Sequence, residues 1–481
     1  MTAKVIVGDK VRNIQIEPNQ SLYTSLVENG LLLIAPCAGN GRCGKCKAKL
    51  ISADFPVEVD KDGNFLTCKC FPKGDITIQL SDVFVGDFEL LGASRSDCSL
   101  YLDLGTTTLC FTLVNNCGAS IGKITLLNPQ QSIGADVITR ITYCRDFGVN
   151  KAQKLILGAI SYVLSRLKEL DYSIKNLIVC GNTTMIHILH GISPSSIGTF
   201  PFTPQFLSKK EVSGSELGLK VDKVKTLPLH SAYIGSDVIA GSYFTQRDDK
   251  CSILLDLGTN GEIVLSFNGK KYCTSTSAGP ALEGGCIECG TGSVSGAIKK
   301  IIPIGLYLRF LTIRNYDPIG LCGSGLVSLI AFLLKKDLLD STGKLVNFGT
   351  GIKDEKFYVA PDIYLTQKDV REFQLAKSAI RTAIDILLEK LSIDYSMVEK
   401  VYLAGGLGEF CEVGDLVATG ILPSSLKDKC ESVGNAAIKG SLSSCTKEFI
   451  TFSEDFKNTA QYVELSMERD FNEKFIKNLN F

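Results

Sequence analysis

Cys37, Cys43 and Cys46 stand in the run PCAGNGRCGKC, three thiols spaced C-x5-C-x2-C, with Cys68 and Cys70 further along. A [2Fe–2S] cluster needs four thiolates on two irons, and a tight loop can supply three of them when its backbone wraps the metal. Gly39, Gly41 and Gly44 permit that wrapping, because glycine accepts positive φ and lets backbone N–H groups turn toward sulfur. Structural zinc sites favour repeated C-x2-C pairs, so a zinc knuckle fits this run less well. The fourth ligand comes from Cys68 or Cys70, and both cannot serve.

A second set of residues points to phosphate chemistry. The run LYLDLGTTT, Leu100 to Thr108, is matched by ILLDLGTNGE, Ile253 to Glu262, about 150 residues later. Each is an apolar strand that ends in Asp-x-Gly-Thr and turns back into another strand (LCFTLV, EIVLSF). Such hairpin tips present backbone N–H and hydroxyl groups to a phosphate chain. Gly105, Thr106 and Thr107 of the first tip, and Gly258, Thr259 and Asn260 of the second, are thereby expected on phosphates. Asp103 and Asp256, at the strand ends, can hold Mg²⁺ through water, since magnesium keeps several of its waters. Asp237 in YIGSDVIAG is a third candidate for the ion or the attacking water, with a helix N-terminal acid as its ordinary alternative. The paired motif resembles the phosphate-1 and phosphate-2 loops of the actin, sugar kinase and Hsp70 superfamily, whose two similar lobes close on ATP. Further landmarks follow in that superfamily's order. Cys180 to Met185 (CGNTTM) resembles the first connecting motif. Val401 to Gly406 (VYLAGG) resembles the adenosine motif, with Gly405 and Gly406 beside the base and ribose. Gly434 to Ala437 (GNAA) resembles the second connecting motif, where small residues let helices from the two lobes cross closely and hinge.

The elements that must position these residues are legible in outline. Val5 to Ile16 (VIVGDKVRNIQI) alternates across a Gly-Asp turn and predicts a β-hairpin. Ser21 to Leu31 has helical spacing, with Leu22, Leu26 and Leu31 inward. Asp75 to Leu80 (DITIQL) predicts a closing strand. Hairpin, helix, cysteine loop and late strand resemble the β-grasp ferredoxin fold. The five-residue first gap is more similar to adrenodoxin-type ferredoxins than to the plant type. Leu66-Thr67-Cys68 resembles the ferredoxin pattern at the last ligand, which makes Cys68 the expected fourth ligand and Cys70 a bystander.

Composition frames the rest. At 481 residues the chain can hold a ferredoxin of about 85 residues and two further lobes. Lysine and arginine number 51 and so do aspartate and glutamate, so bulk charge favours neither nucleic acid nor an anionic membrane. Eighteen cysteines, many in apolar strands, fit a reducing cytoplasm better than a disulfide framework. No signal pattern appears, and no apolar run reaches the roughly 18 residues of a membrane span. The expectation is a cytoplasmic protein, plausibly from an anaerobe.

Between these landmarks lie segments of a narrower pattern: NPQQSIGADVITRI, GNTTMIHILHGISPSSIGTFPFTP, SAGPALEGG, GLCGSGLVSLIA, AGGLGEF and QYVELSMERDFNEKF. They resemble the reductive activators of corrinoid proteins, in which a [2Fe–2S] ferredoxin is fused to an actin-like ATPase that returns Co(II) corrinoid to Co(I). The resemblance implies an α/β chain: a β-grasp ferredoxin over residues 1–82, a linker over 83–97, and a two-lobed actin-like (ribonuclease H-like) ATPase over 98–481. Within the ATPase, lobe I spans 98–245, lobe II 250–400, and a return segment 401–481. It further implies a [2Fe–2S] cluster on Cys37, Cys43, Cys46 and Cys68, ATP and Mg²⁺, a corrinoid protein partner, a low-potential electron donor and a homodimer. Better-known members carry linker and middle domains where only residues 81–97 separate Leu80 from the first phosphate strand. Physical logic runs parallel. For a one-electron couple each ~59 mV is a tenfold change in equilibrium constant, a scale on which nucleotide energy can drive an uphill transfer.

Other residues have plainer readings beside sharper ones. Cys286 and Cys289 form C-x2-C and loosely resemble the activators of 2-hydroxyacyl-CoA dehydratases, but buried unligated thiols are the ordinary reading. Cys322 reads as a small core residue, and His187 with His190 as structural histidines. Asp136 with Arg140 is, like Asp237, a candidate for the site, or an i,i+4 pair that is simply a surface contact. Activation of another low-potential metalloenzyme, a redox-regulated small-molecule kinase and a chaperone-like module are the alternative functions.

Overall fold

The computed structural model describes residues 1–7, 10–29, 31, 33, 39, 41, 46–80, 87–91, 97–246, 250–304, 307–346, 352–353 and 356–481. Cys37, Cys43 and Gly44 lie outside the described residues. Gly39 and Gly41, within them, both take positive φ, 84° and 75°.

The N-terminal unit is a five-stranded sheet. Alternating residues pair Thr2–Val7 antiparallel with Lys10–Gln15, as the hairpin pattern predicts. Ile76–Leu80 lies parallel to Thr2–Val7 and antiparallel to Lys47–Ala53, and Asn64–Leu66 forms the edge. A first strand held parallel to a last one, with a helix between, is the β-grasp arrangement. That helix runs Leu22–Glu28, with Ser21 accepting the Thr24 N–H at 3.2 Å. It ends earlier than the spacing predicts: Leu31 lies past the cap, yet is buried, and its N–H donates to the Leu26 carbonyl at 2.9 Å.

Two further sheets carry the lobes. The first has seven strands, with Asp97–Leu104 paired between Ser173–Gly181 and Thr108–Asn115. Of the expected linker, Asp87–Leu90 is a strand on the edge of this sheet, antiparallel to Ser120–Leu127. Its short DFEL pattern carries no alternation long enough to announce it. The second sheet has six strands built on Ser252–Leu257 and Gly261–Phe267. The return segment completes it: Lys400–Ala404, Cys430–Gly434 and Gln461–Tyr462 are three of its strands.

Helix Ala436–Ser441 crosses helix Ser236–Thr245 between the lobes. A Cβ on Gly440 would lie 1.9 Å from the Ala240 carbonyl oxygen, so only glycine fits the crossing. This corrects the placing of the first connecting motif. The helix after Asn182, Thr183–Leu189, packs within lobe I, and the small-residue run SDVIAGS makes the inter-lobe crossing instead. The ferredoxin core is continuous with that of lobe I. Helix Leu22–Glu28 packs on helix Asn150–Glu169, where Gly158 approaches the carbonyls of Val27 and Glu28.

Candidate functional site

The thiols of Cys46 and Cys68 meet 3.1 Å apart and are buried. Thr67 fixes them: its N–H and its hydroxyl both donate to the Cys46 carbonyl, at 2.9 and 3.0 Å. Two sulfurs held together on a rigid turn are what one iron of a cluster requires, so the described half of the ligand set fits the group. The Cys70 carbonyl accepts the Leu22 N–H at 2.8 Å, and burial pushes its thiol up to about 11. Cys286 is exposed with φ of 59°, and Cys289 is half-buried. Among the described residues no group of three or more metal-binding side chains forms there.

Between the lobes lies a cavity of about 350 Å³. It brings together Asp103, Asp237, Asp256, Gly105, Thr106, Gly258, Thr259, Asn260, Gly405 and Gly406, with Thr107 just beyond the loop tip. The strand ends place Asp103 and Asp256 opposite each other, because the two hairpins repeat one geometry from two sheets. Gly405 has φ of 77°, and a Cβ there would fall 2.6 Å from Asp256 Oδ1. Asp237 opens the crossing helix and caps itself, its carboxylate accepting the Val238 N–H at 2.8 Å. Burial is the main cause that raises the carboxyls, to about 7 for Asp103, about 8 for Asp256 and about 6 for Asp237. Repulsion from neighbouring carboxylates adds to this at Asp103 and Asp256, while Asn435 Nδ2 donates to Asp103 at 2.7 Å and offsets part of it. Glu262, also lining the cleft, is pushed well above its ordinary value by burial. Such a cluster favours a cation held through its waters, since no three metal-binding side chains among the described residues form a direct site.

The first loop is braced from behind by residues whose role sequence reasoning missed. Asn128 Nδ2 donates to the Gly105 carbonyl at 2.8 Å, and Arg140 Nη2 to the Thr106 carbonyl at 2.6 Å. The Thr107 carbonyl accepts from the Asn128 N–H at 2.8 Å. With its carbonyls turned outward, the loop can offer N–H groups to an anion. Of the two readings of Arg140, the surface contact does not hold: it is fully buried, and its other bonds go to Gln130, Gly134 and the Met185 sulfur. Asp136 instead caps the helix Val137–Phe147 through the Thr139 N–H. The NPQQSIGADVITR run was the available signal. Glu283 was missed too: it accepts hydrogen bonds from Thr107, at 2.6 Å, and from Thr259. At the cleft mouth, Lys123–Glu409 and Arg314–Glu89 pair at 3.4 and 2.6 Å.

The two histidines are structural. His187 Nδ1 meets the Thr183 carbonyl, its Nε2 accepts the Gln205 N–H, and its ring stacks on Phe206. Burial holds both His187 and His190 down to about 4, so they are neutral. Cys322 is fully buried in the core.

Comparisons with known proteins agree with this geometry. Residues 250–481 match the family described as the C-terminal domain of RACo, the ASKHA domain, and residues 98–250 match the RACo middle region. Residues 5–73 match the 2Fe-2S iron-sulfur cluster binding domain. The middle region is therefore present, as lobe I, and the short connection after Leu80 does not replace it. The chain is 29% identical over 411 residues to the corrinoid activation enzyme RamQ of Eubacterium limosum, covering 79% of this chain and 69% of that one. It is 24% identical over 382 residues to the [Co(II) methylated amine-specific corrinoid protein] reductase of Methanosarcina barkeri, covering 70% and 68%. The fold is similar to that of a reductive activator for corrinoid, iron-sulfur protein, with a TM-score of 0.76 and 24% identity over 100% of this chain and 98% of that one.

Proposed function

The chain belongs to the RACo family, and from that premise we propose that it is an ATP-hydrolysing activase that returns the Co(II) corrinoid of a methyltransferase-system protein to Co(I). The observation that carries the reading is the joining of a buried thiol pair to a two-lobed cleft where three aspartates and both hairpin tips converge. Held by Cys37, Cys43, Cys46 and Cys68, a [2Fe–2S] cluster supplies one-electron transfer. The ferredoxin, residues 1–82, presents it, and residues 98–481 form the ATPase. Asp103, Asp237 and Asp256 would take Mg²⁺ through its waters, and its charge would offset the burial, and at Asp103 and Asp256 the repulsion, that keeps their protons on. Gly105 to Thr107 and Gly258 to Asn260 hold the phosphates, and Gly405 with Gly406 bounds the adenosine.

ATP acts only through differential affinity: it favours closed lobes, and the closed lobes favour the partner in its more reducible form. If both ligands favour one state, each raises the other's affinity. A low-potential donor recharges the ferredoxin, and the working unit is a cytoplasmic homodimer. The test mixes the chain, a low-potential reductant and a Co(II) corrinoid protein, and follows the cobalt spectrum. Co(I) is expected to rise when Mg-ATP is added and to stay low with Asp256→Ala. Equal Co(I) formation with ATP, without it and in the variant would falsify energy coupling.

A further inference from the structure

A second cavity, about 870 Å³, adjoins the phosphate loops and is lined by Thr107, Glu283, Gly284, Cys286, Tyr364 and Lys368 among others. Glu283 lines both cavities. It ends the turn Pro280–Glu283, which is pinned by the Gly284 and Gly285 N–H groups donating to Ala281 and Pro280. Its Oε2 accepts from Thr107 of the first loop and Thr259 of the second, whose hydroxyl oxygens are 3.4 Å apart. Its Oε1 lies toward Gly258, where an added Cβ would meet it at 3.3 Å. The carboxylate thus sits between the two hairpin tips, where a terminal phosphate would arrive.

Asp103, Asp237 and Asp256 repel one another, which suits a shared cation. Glu283 adds to the repulsion on Asp103 and Asp256 but differs in its contacts: it is tied to hydroxyls at the loop tips and faces the second cavity. In-line displacement requires water to enter opposite the leaving ADP. Gly405 and Gly406 border the nucleotide cavity and not the second one, so the adenosine side and the second cavity are different sides of the loops. Water in the second cavity would approach a bound phosphate from the side away from Gly405 and Gly406, past Glu283, which lines both cavities. Arg140, buried behind Thr106, is the cation whose field reaches this carboxylate.

We propose that Glu283 is the catalytic carboxylate of ATP hydrolysis, orienting the attacking water and taking its proton; this rests on the ATPase reading above. The water oxygen bonds to the γ-phosphorus as the bond to the β–γ bridging oxygen breaks, and ADP leaves with that electron pair. The proton passes to Glu283 and then to solvent. In the empty cleft the threonine hydroxyls donate to Glu283. Turned to a bound phosphate, they release the carboxylate for water, so the base is freed only when substrate is present.

The test uses the full chain and reads phosphate release from Mg-ATP beside calorimetric binding of Mg-ADP. E283Q keeps an acceptor oxygen for both threonines but cannot take the proton. Its kcat should fall by roughly 10²–10⁴-fold, with nucleotide affinity within about threefold. Wild-type kcat in E283Q means that the residue only clasps the loops, and overturns the proposal. So does loss of hydrolysis that merely tracks loss of binding. Should E283Q fold poorly, E283A is read in its place: its lost kcat should recover about tenfold with added formate, and a wild-type kcat there overturns the proposal equally. A wild-type chain that binds but never hydrolyses ATP removes the ATPase reading itself, a result distinct from either variant's.

Discussion

At the scale of single residues, the protein concentrates unfavourable charge where a ligand can relieve it. Asp103 and Asp256 are ordinarily ionised above about 4, but burial and mutual repulsion hold their carboxyls to about 7 and about 8. Raised carboxyls mean that the folded, empty protein binds more protons than the unfolded chain between those values. Their contribution to stability therefore declines as pH rises from about 4 to about 8. Nucleotide-free melting temperature should fall between pH 6 and pH 8, and Asp256→Asn should flatten that slope. Mg-ADP should protect more at pH 8 than at pH 6, because the cation competes with protons for the same oxygens. A nucleotide-free melting temperature independent of pH, unchanged in the variant, removes this account. The cysteines give a second prediction. Cys68→Ser should abolish or strongly alter the visible cluster spectrum and lower iron content, whereas Cys70→Ser should leave both, because Cys68 is the thiol that stands against Cys46. The reverse result moves the fourth ligand to Cys70.

Elements explain which parts of this site sequence could reveal. Both phosphate hairpins were legible because one local pattern, an apolar strand ending in Asp-x-Gly-Thr, encodes strand, turn and ligand together. The β-grasp unit was legible for a related reason: alternation gave the hairpin and apolar spacing gave the helix, while Cys37 and Cys43 of the cysteine loop lie outside the described residues. What stayed hidden is what depends on residues far apart in the chain. Thr107 and Glu283 are 176 residues apart, and Asp103 and Asn435 are 332 apart, so no window contains either pair. Arg140 stayed ambiguous because an i,i+4 acid also suits a surface pair, while its partners are carbonyls of two loops, Thr106 and Gly134, that no local pattern brings together. The crossing helix misled because several Gly-containing strand-to-helix junctions share its composition. The buttress can be tested as an element. Arg140→Met keeps most of the bulk but leaves the Thr106 carbonyl without its charged donor, a loss of roughly 1.5–3 kcal/mol. Mg-ADP affinity should weaken on the order of tenfold or more while the cluster spectrum is unchanged. Wild-type affinity would mean that the loop holds its shape without the arginine.

For the whole molecule the question is how a nucleotide event reaches the cluster. At the cleft mouth the ion pairs Lys123–Glu409 and Arg314–Glu89 are exposed and worth about 0–1 kcal/mol each, while deeper in the cleft Thr107 to Glu283 and Asn435 to Asp103 are hydrogen bonds that also join the two sides and that closure and opening must accommodate. On the proposed closure, the tight crossing at Gly440 and Ala240 is the point about which the lobes would turn. The ferredoxin, by contrast, is fixed to lobe I. Its helix Leu22–Glu28 packs on Asn150–Glu169, Lys151 and Lys154 reach toward Glu28 and Glu17 at 4.0 Å, and strand Asp87–Leu90 stitches the connection into the lobe's own sheet. Leu22 in turn bonds the Cys70 carbonyl beside the Cys46–Cys68 pair. A continuous path of packed elements thus sets the cluster's position relative to the first phosphate lobe, and closure would move the two as one body toward the partner. Gly158→Leu tests this, because a side chain there must push against the carbonyls of Val27 and Glu28, which a Cβ alone would already meet at 3.4 and 3.3 Å. The variant should keep its cluster spectrum and its basal ATP hydrolysis. ATP-driven Co(I) formation should slow ten- to a hundredfold, roughly the cost of misplacing a reacting group by an ångström. If Co(I) forms at the wild-type rate in a variant whose ferredoxin has been shown to detach, by faster amide exchange in Leu22–Glu28, then the docked position does not serve the transfer, and the cluster works as a freely swinging carrier.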